Sequence, residues 1–356
     1  MSCAPLFATF DSPTAVLWLA GATLTLAIML LVAGGNMVVK AASSMALRLG
    51  ATEIAIAATV VAIGTSLPEL FVSAVAALQK HPDIALGNVF GSNIANIGLV
   101  LGLTALIKPV EVKSPVTRML LSFYMLLLLA LSGWLLVTKF VGWMAGVVML
   151  SLLLGVIFWL YRGKPNDVPV AEVHSSIARP LRWFLLFFFG EVRGNRFWAA
   201  VNPLKHLWSA TLYLSLGIAL LVLGGGGFVR SATTFANFFG VSEFVIALAV
   251  VAIGTSLPEV AVSVSAAAKG QGDMSLGNIV GSNIFNLLLV IGFSSLLVTF
   301  EIDIWDRTTL ITFCVMFFMG ALVWFPVFVL KRRFLSRTYG AVLLVIYFLT
   351  MWFWFR

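Results

Sequence analysis

The sequence predicts an all-α polytopic membrane protein, with ten transmembrane helices arranged as two inverted five-helix repeats and discontinuous helices at the midplane. Of its 356 residues, 61% are hydrophobic and 10% are charged, whereas a soluble protein carries about 25% charged residues. The string Val-Val-Ala-Ile-Gly-Thr-Ser-Leu-Pro-Glu occurs at 60–69 and again at 250–259. The same offset of 190 residues (250 − 60) aligns the flanking segments without a gap, so the chain consists of two copies of one unit.

Long apolar runs divide the first copy into five expected spans. Their approximate ranges are 15–40, 52–79, 83–107, 117–138 and 140–161. We expect the first span to be interrupted at Gly34-Gly35-Asn36 and to end at Lys40, and the second to break between Gly64 and Pro68. The fourth and fifth carry no ionisable side chain in mid-span, which is typical of helices that only pack.

The second copy repeats this order of spans. They are expected near 208–232, 241–269, 273–299, 307–330 and 339–355, with the second broken between Gly254 and Pro258. The predicted domains are a first five-helix repeat at 1–161 (core repeat about 52–108), a basic connecting loop at 162–206, and a second repeat at 207–356 (core repeat about 242–298). The loop contains seven Lys and Arg, and both an interfacial helix and a solvated linker are compatible with its composition.

The distribution of basic residues predicts the orientation. With the N-terminus outside, 17 of the 22 Lys and Arg fall in connections on the inner face, which is the arrangement that the positive-inside rule favours. Both termini are then extracytoplasmic and the connecting loop is cytoplasmic. An odd number of spans per copy inverts the second copy relative to the first. The net charge of +8 thus reflects topology, and no nucleic-acid partner is expected.

Two of the fourteen acidic residues, Glu69 and Glu259, fall in the middle of a span. An ionised carboxylate at the centre of a bilayer costs at least about 2.5 kcal/mol, so each must face a polar cavity, take up a proton or hold a cation. Thr65 and Ser66 precede Glu69 by four and three residues and can share its helix face. The proline before each glutamate has no N–H, which frees backbone oxygens near Ala62 in the first copy. The equivalent residues of the second copy are Ala252, Thr255 and Ser256.

The next helix of each copy supplies further oxygen ligands. Ser92 and Asn96 are spaced i, i+4, as are Ser282 and Asn286 in the second copy. Carboxylates, hydroxyls, amides and carbonyls are the hard ligands that suit Ca²⁺ or Na⁺, and zinc or copper is disfavoured because neither imidazole nor thiolate is present among them. The sequence therefore predicts a cation site between the two copies.

The motif Gly-Thr-Ser-Leu-Pro-Glu followed by Gly-Asn-x-x-Gly-Ser-Asn-Ile-x-Asn, present twice and inverted, resembles the alpha repeats of the calcium/cation antiporter superfamily, specifically its sodium/calcium exchanger branch and the bacterial members of that branch. The resemblance implies a secondary antiporter of the plasma or bacterial inner membrane that exchanges Ca²⁺ for Na⁺ by alternating access. It implies no cofactor apart from these transported ions. The ion ligands that it implies are Glu69, Glu259, Thr65, Ser66, Thr255, Ser256, Ser92, Asn96, Ser282, Asn286 and the carbonyls of Ala62 and Ala252.

One position departs from the pattern of this family. Many of its exchangers have Asp where this chain has Asn286. The predicted site of this chain therefore contains only two carboxylates, whose charges balance one Ca²⁺. This weakens the case for a potassium-dependent exchanger. It leaves open whether Ca²⁺ is the transported ion.

Two other functions remain open from the residues. A cation/proton antiporter would use the same two glutamates, since a desolvated Glu can titrate near neutral pH. A non-transporting receptor or scaffold would act through the basic connecting loop. An enzyme is not expected, because no span carries a nucleophile with a suitable base. The partners are then the two ions and the lipid bilayer, and protein partners are unknown. We expect the glycine-rich first helix of each copy to be the sliding or gating element.

Overall fold

The computed structural model describes residues 12–48, 62–162, 207–268, 270–302, 305–330 and 334–355. The helices, in chain order, are α1 (Pro13–Arg48), α2 (Ala62–Thr65), α3 (Leu67–Leu78), α4 (Pro82–Ile107), α5 (Pro115–Thr138), α6 (Trp143–Arg162), α7 (Leu207–Phe239), α8 (Glu243–Thr255), α9 (Leu257–Ala268), α10 (Gly272–Leu297), α11 (Arg307–Phe328) and α12 (Arg337–Trp354). The short strands are β1 (Val110–Glu111), β2 (Phe140–Val141), β3 (Phe300–Glu301) and β4 (Phe334–Leu335). The predicted connecting loop and the predicted start of the second span lie outside the described residues.

The helices have the length and composition of membrane spans. Within the described ranges, seven helices qualify, and α8 with α9 forms an eighth span that is bent by 48°. Two further apolar helices, α3 and residues Trp143–Trp159 of α6, are shorter. Large apolar side chains such as Trp18, Val137 and Trp208 are exposed on the outer helices, where lipid would surround them. The prediction of a helical, polytopic membrane protein is therefore confirmed.

The internal repeat is visible in the helix bounds. Helix α4 and helix α10 begin and end 190 residues apart, and each contains a π-helical turn, Asn96–Leu101 in α4 and Asn286–Ile291 in α10. These two helices are buried over most of their apolar stretch, whereas less than half of that stretch is buried in the other long helices. The centre of the molecule is thus formed by one helix from each copy.

Helix α1 crosses helix α7 at very close range. A Cβ atom added to Gly34 would lie 2.7 Å from the carbonyl oxygen of Gly217, and one added to Gly217 would lie 2.9 Å from the carbonyl oxygen of Gly34. The interruption predicted at Gly34 and the end predicted at Lys40 are wrong, because α1 continues as one helix to Arg48. Glycines in this segment bring two helix backbones together and do not break the helix.

The short strands join the two copies at opposite ends of a helix pair. β1 pairs antiparallel with β4, and β2 pairs antiparallel with β3. β1 and β2 flank α5, whereas β3 and β4 flank α11. Helices α5 and α11, which occupy equivalent positions in the two copies, therefore run antiparallel. The sequence analysis did not predict these strands.

Side-chain caps fix where several helices begin. Ser114, Ser242 and Ser336 each accept a hydrogen bond from a backbone N–H of the first turn, and Asp306 accepts two such bonds. Such caps satisfy donors that the helix itself leaves without partners. At its other end, α5 stops at Lys139, which has a left-handed backbone with φ of 57°. These local signals set the ends of the helices that surround the centre.

Candidate cation site

Each copy contains one helix break, and both breaks lie where the sequence predicts them. Ser66 separates α2 from α3 and Ser256 separates α8 from α9, with almost the same backbone angles (φ −89°, ψ 6° and φ −83°, ψ 5°). A proline follows two residues later in each copy and cannot donate a backbone hydrogen bond across the break. The breaks put Glu69 and Glu259 in the first turn of α3 and of α9, where the helix dipole favours a negative charge.

The two carboxylates are fully buried. Glu69 is 1% exposed and Glu259 is 0% exposed. They lie near enough to one another for their charges to interact. Two buried like charges repel each other unless a cation, a proton or hydrogen bonds compensate them. The arrangement therefore needs a partner of positive charge or a proton.

Hydroxyl groups from both copies surround these carboxylates. Ser256 Oγ donates to Glu69 Oε1 over 3.4 Å, and Thr255 also interacts with Glu69. Ser282 Oγ donates to Glu259 Oε1 over 3.2 Å, and Thr65 interacts with Glu259. Each glutamate is thus contacted by a hydroxyl of the opposite copy, so the site exists only where the two copies meet.

An asparagine that the sequence analysis did not select connects several of these groups. Asn88 Nδ2 donates to the Glu69 carbonyl oxygen (3.2 Å) and to Ser73 Oγ (2.9 Å), and Asn88 Oδ1 accepts from Thr255 Oγ1 (3.0 Å). Thr255 Oγ1 also lies 3.3 Å from Ser92 Oγ. In the second copy the equivalent Asn278 donates to Ser263 Oγ over 3.1 Å. The repeated Gly-Asn dipeptide was the signal that could have identified these asparagines.

Three more asparagines meet at the contact between α4 and α10. Asn96 Nδ2 donates to Asn283 Oδ1 over 3.0 Å, and Asn283 Nδ2 donates to the backbone carbonyl oxygen of Asn93 over 3.3 Å. The π-helical turns begin at Asn96 and at its repeat equivalent Asn286. Such π-turns occur frequently at functional sites.

Several predicted ligands have polar atoms without a hydrogen-bond partner among the described residues. These buried atoms are Ser66 Oγ, Glu69 Oε2, Asn96 Oδ1, Glu259 Oε2, and Oδ1 and Nδ2 of Asn286. Leaving such a group unpaired costs about 1–3 kcal/mol. Most of the atoms are oxygens, so a hard cation with oxygen ligands suits the set. Among all the residues that the structure describes, no three His, Cys, Asp or Glu side chains are grouped so that they could hold a metal ion.

The two backbone carbonyls predicted as ligands differ from each other. The Ala252 carbonyl oxygen accepts from the Ser256 backbone N–H (3.0 Å) and from Thr255 Oγ1 (3.3 Å). The prediction of a freed carbonyl is therefore wrong for Ala252. In the first copy the Ser66 N–H donates to the Ile63 carbonyl oxygen, one residue later than Ala62, over 3.1 Å.

A comparison with known proteins matches the chain in two segments, which correspond to the two copies of the repeat. The family described as sodium/calcium exchanger protein matches residues 19–162 and 209–356. The chain is 32% identical over 345 residues to the sodium/calcium exchanger MaX1 of Methanosarcina acetivorans, covering 91% of this chain and 95% of that protein. It is 36% identical over 287 residues to the inner membrane protein YrbG of Escherichia coli, covering 80% of this chain and 82% of that protein.

The fold is also similar to a solved structure. That structure is the sodium-calcium exchanger NCX_Mj soaked with 10 mM Na⁺ and 10 mM Sr²⁺, with a TM-score of 0.58 and 28% sequence identity. The similarity covers 94% of this chain and 98% of that chain.

Proposed function

Because the chain belongs to the sodium/calcium exchanger family, whose members are membrane transporters and not enzymes, we propose that it exchanges Ca²⁺ for Na⁺ by alternating access. The coarser assignment, a multi-pass membrane antiporter of cations, follows from the family itself. The observation that supports the finer one is the pair of buried carboxylates, Glu69 and Glu259, each contacted by a hydroxyl of the opposite copy.

In this proposal both ions use one set of ligands. Two carboxylates neutralise one Ca²⁺, which takes six to eight oxygen ligands at about 2.3–2.6 Å. Na⁺ competes for the same oxygens, so the two ions cannot be bound together and each crosses the membrane on its own half-cycle. The proposed ligands are Glu69, Glu259, Thr65, Ser66, Thr255, Ser256, Ser92, Asn96, Ser282, Asn286 and the carbonyls of Ala62 and Ala252. For Ala252 this requires the carbonyl to release one of its hydrogen bonds.

We assign ten spans in two inverted sets of five, with domains at 1–161, 162–206 and 207–356. The antiparallel course of α5 and α11 supports the inversion. The two shorter apolar helices, α3 and α6, bring the eight candidate spans of the described chain to ten. Both termini are then outside the cell and the basic connection is inside, as the positive-inside rule requires.

Alternating access needs a part that moves against the centre. The α1–α7 pair is the candidate, because glycines at its crossing, Gly34 and Gly217, let the two helix backbones approach closely. Transporters of this kind alternate access by moving one helix bundle against another around a fixed site, and in this proposal the closely packed α1–α7 pair moves as one unit. The glutamates stay in place and are exposed first to one face of the membrane and then to the other.

The test is Ca²⁺ uptake into proteoliposomes loaded with Na⁺ and diluted into Na⁺-free buffer. Glu69→Gln and Glu259→Gln are each expected to reduce uptake at least about 100-fold, since losing a charge from a buried ion site costs about 3 kcal/mol or more. Glu301→Gln is the matched control, because Glu301 is exposed and lies outside the site. Normal uptake by either of the first two variants, with monodisperse protein, would contradict the proposal.

A parallel set of liposomes carries only a pH gradient. Uptake driven by that gradient without Na⁺ would replace the proposal with a cation/proton antiporter that uses the same glutamates. Deleting residues 165–200 is expected to leave Na⁺-dependent uptake in place. If neither gradient drives uptake of any cation in the intact protein, a receptor or scaffold function of the loop becomes the better explanation.

A further inference from the structure

We propose that Asn283 is a positioning residue, which fixes the side-chain amide of Asn96 so that its oxygen faces the transported cation. This inference rests on the proposed role of Asn96 as a cation ligand. Asn283 lies on α10, whereas Asn96 lies on α4, and both are fully buried. The effect therefore passes from the second copy of the repeat to the first.

The direction in which an amide faces matters at a cation site. The two ends of an Asn side chain have almost the same shape, but one end is an acceptor oxygen and the other an NH₂ donor. Only the oxygen can bind a cation, and the NH₂ group would repel it. A site that uses an Asn ligand thus gains from a partner that excludes the reversed amide.

A chain of hydrogen bonds provides this partner. The backbone carbonyl oxygen of Asn93 can only accept, so Asn283 turns its Nδ2 towards it (3.3 Å). Asn283 Oδ1 then faces Asn96 and can only accept, which requires Asn96 to present its Nδ2 (3.0 Å). The Oδ1 of Asn96 is left at the opposite end, buried and without a hydrogen-bond partner among the described residues. One backbone carbonyl thereby determines the orientation of both amides.

The repeat equivalents do not form the same chain. Asn93, equivalent to Asn283, donates its Nδ2 to the Val89 carbonyl oxygen of its own helix over 2.8 Å. Both polar atoms of Asn286, equivalent to Asn96, lack a hydrogen-bond partner in the described part of the chain. The orienting contact is therefore specific to Asn96, and the two halves of the site are not equivalent.

The test is a double-mutant cycle on Na⁺-dependent Ca²⁺ uptake by full-length protein in proteoliposomes. Asn283→Ala is expected to raise the KM for Ca²⁺ about fivefold, the effect of losing one orienting hydrogen bond, with kcat changed by less than about twofold. Asn96→Ala should raise KM at least as much. If Asn283 acts through Asn96, the double variant should have the KM of Asn96→Ala alone, whereas independent structural effects would multiply.

A rescue variant distinguishes a positioning role of Asn283 from a general structural effect of its loss. An Asp at position 96 presents an oxygen in either orientation, so adding Asn283→Ala to Asn96→Asp should not raise KM further. Asn278→Ala is the matched control, since its side chain donates to Ser263, which is neither a proposed ligand nor part of this chain of hydrogen bonds, and its KM should stay within about twofold of the wild-type value. If Asn283→Ala does not give monodisperse protein, Asn283→Leu keeps a similar volume and replaces it in the cycle.

Three results would overturn the inference: an unchanged KM in Asn283→Ala, multiplicative effects in the double variant, or an equal rise of KM in Asn278→Ala. If one of these results is obtained and Glu69→Gln is inactive, the positioning role of Asn283 is refuted and the proposed exchange of Ca²⁺ for Na⁺ still stands. Normal uptake by Glu69→Gln would instead refute the proposed function on which the inference rests.

Discussion

At the scale of single residues, the buried carboxylates are only partly compensated by the protein. Ser256 donates to one oxygen of Glu69 and Ser282 to one oxygen of Glu259. The other oxygen of each carboxylate has no hydrogen-bond partner among the described residues. An ionised carboxylate in this state is unfavourable at the depth of a bilayer. In the proposed exchanger, a bound cation would therefore also stabilise the folded site.

The repeated asparagines Asn88 and Asn278 allow a direct prediction of stability. Asn88 bonds to Ser73, to the Glu69 carbonyl and to Thr255, whereas Asn278 bonds to Ser263. Asn88→Ala leaves several buried groups unpaired and should lower the free energy of unfolding by about 2–4 kcal/mol, against about 1 kcal/mol for Asn278→Ala. The measurement is the thermal unfolding midpoint in detergent without added Ca²⁺. Equal shifts in the two variants would show that the bonds of Asn88 to the Glu69 carbonyl and to Thr255 contribute nothing.

Part of the candidate site could be predicted from the sequence. Glu69 and Glu259 stand out because an acid, a proline and two hydroxyls recur together in an apolar run. Asn88 and Asn283 could not be assigned a role in this way. Their partners Thr255 and Asn96 belong to the opposite copy, and a repeated sequence does not state how its copies dock.

At the scale of helices, the same residue type has different effects in different surroundings. Gly64 and Gly254 adjoin true breaks, because a proline four residues later removes a backbone hydrogen bond. Gly34 has no proline near it and remains helical, packed on α7. The π-turns and the two-residue strands could not be predicted from the sequence, because both are defined by hydrogen bonds and not by a hydrophobic periodicity.

The α1–α7 crossing gives a prediction for a helix contact. Gly34→Ala would put a methyl group 2.7 Å from the Gly217 carbonyl oxygen, so the helices must separate, at a cost of about 1–3 kcal/mol. Gly21→Ala in the same helix meets nothing within 4 Å among the described residues and should be neutral or slightly stabilising. Thermal unfolding in detergent compares the two. A loss in Gly21→Ala as large as in Gly34→Ala would mean that the crossing is not the cause.

At the scale of the whole molecule, α5 and the strands at its two ends indicate how the chain is oriented across the membrane. An α-helix of 24 residues is about 36 Å long, which exceeds the roughly 30 Å hydrocarbon core. The β1–β4 and β2–β3 pairs therefore lie at opposite faces of the membrane. Each pair joins the first copy to the second, which supports the proposed inverted arrangement of the two copies.

This arrangement predicts which side chains are accessible from outside the cell. Lys113, beside β1, should lie inside, and Lys139, beside β2, should lie outside; both are exposed. In a variant with Cys3 and Cys314 replaced by Ser, a membrane-impermeant maleimide on intact cells should label Lys139→Cys and not Lys113→Cys, while permeabilised cells label both. The reverse pattern would put both termini in the cytoplasm. Equal labelling of the two positions in intact cells would contradict the inverted topology itself, because α5 could not then separate them across the bilayer.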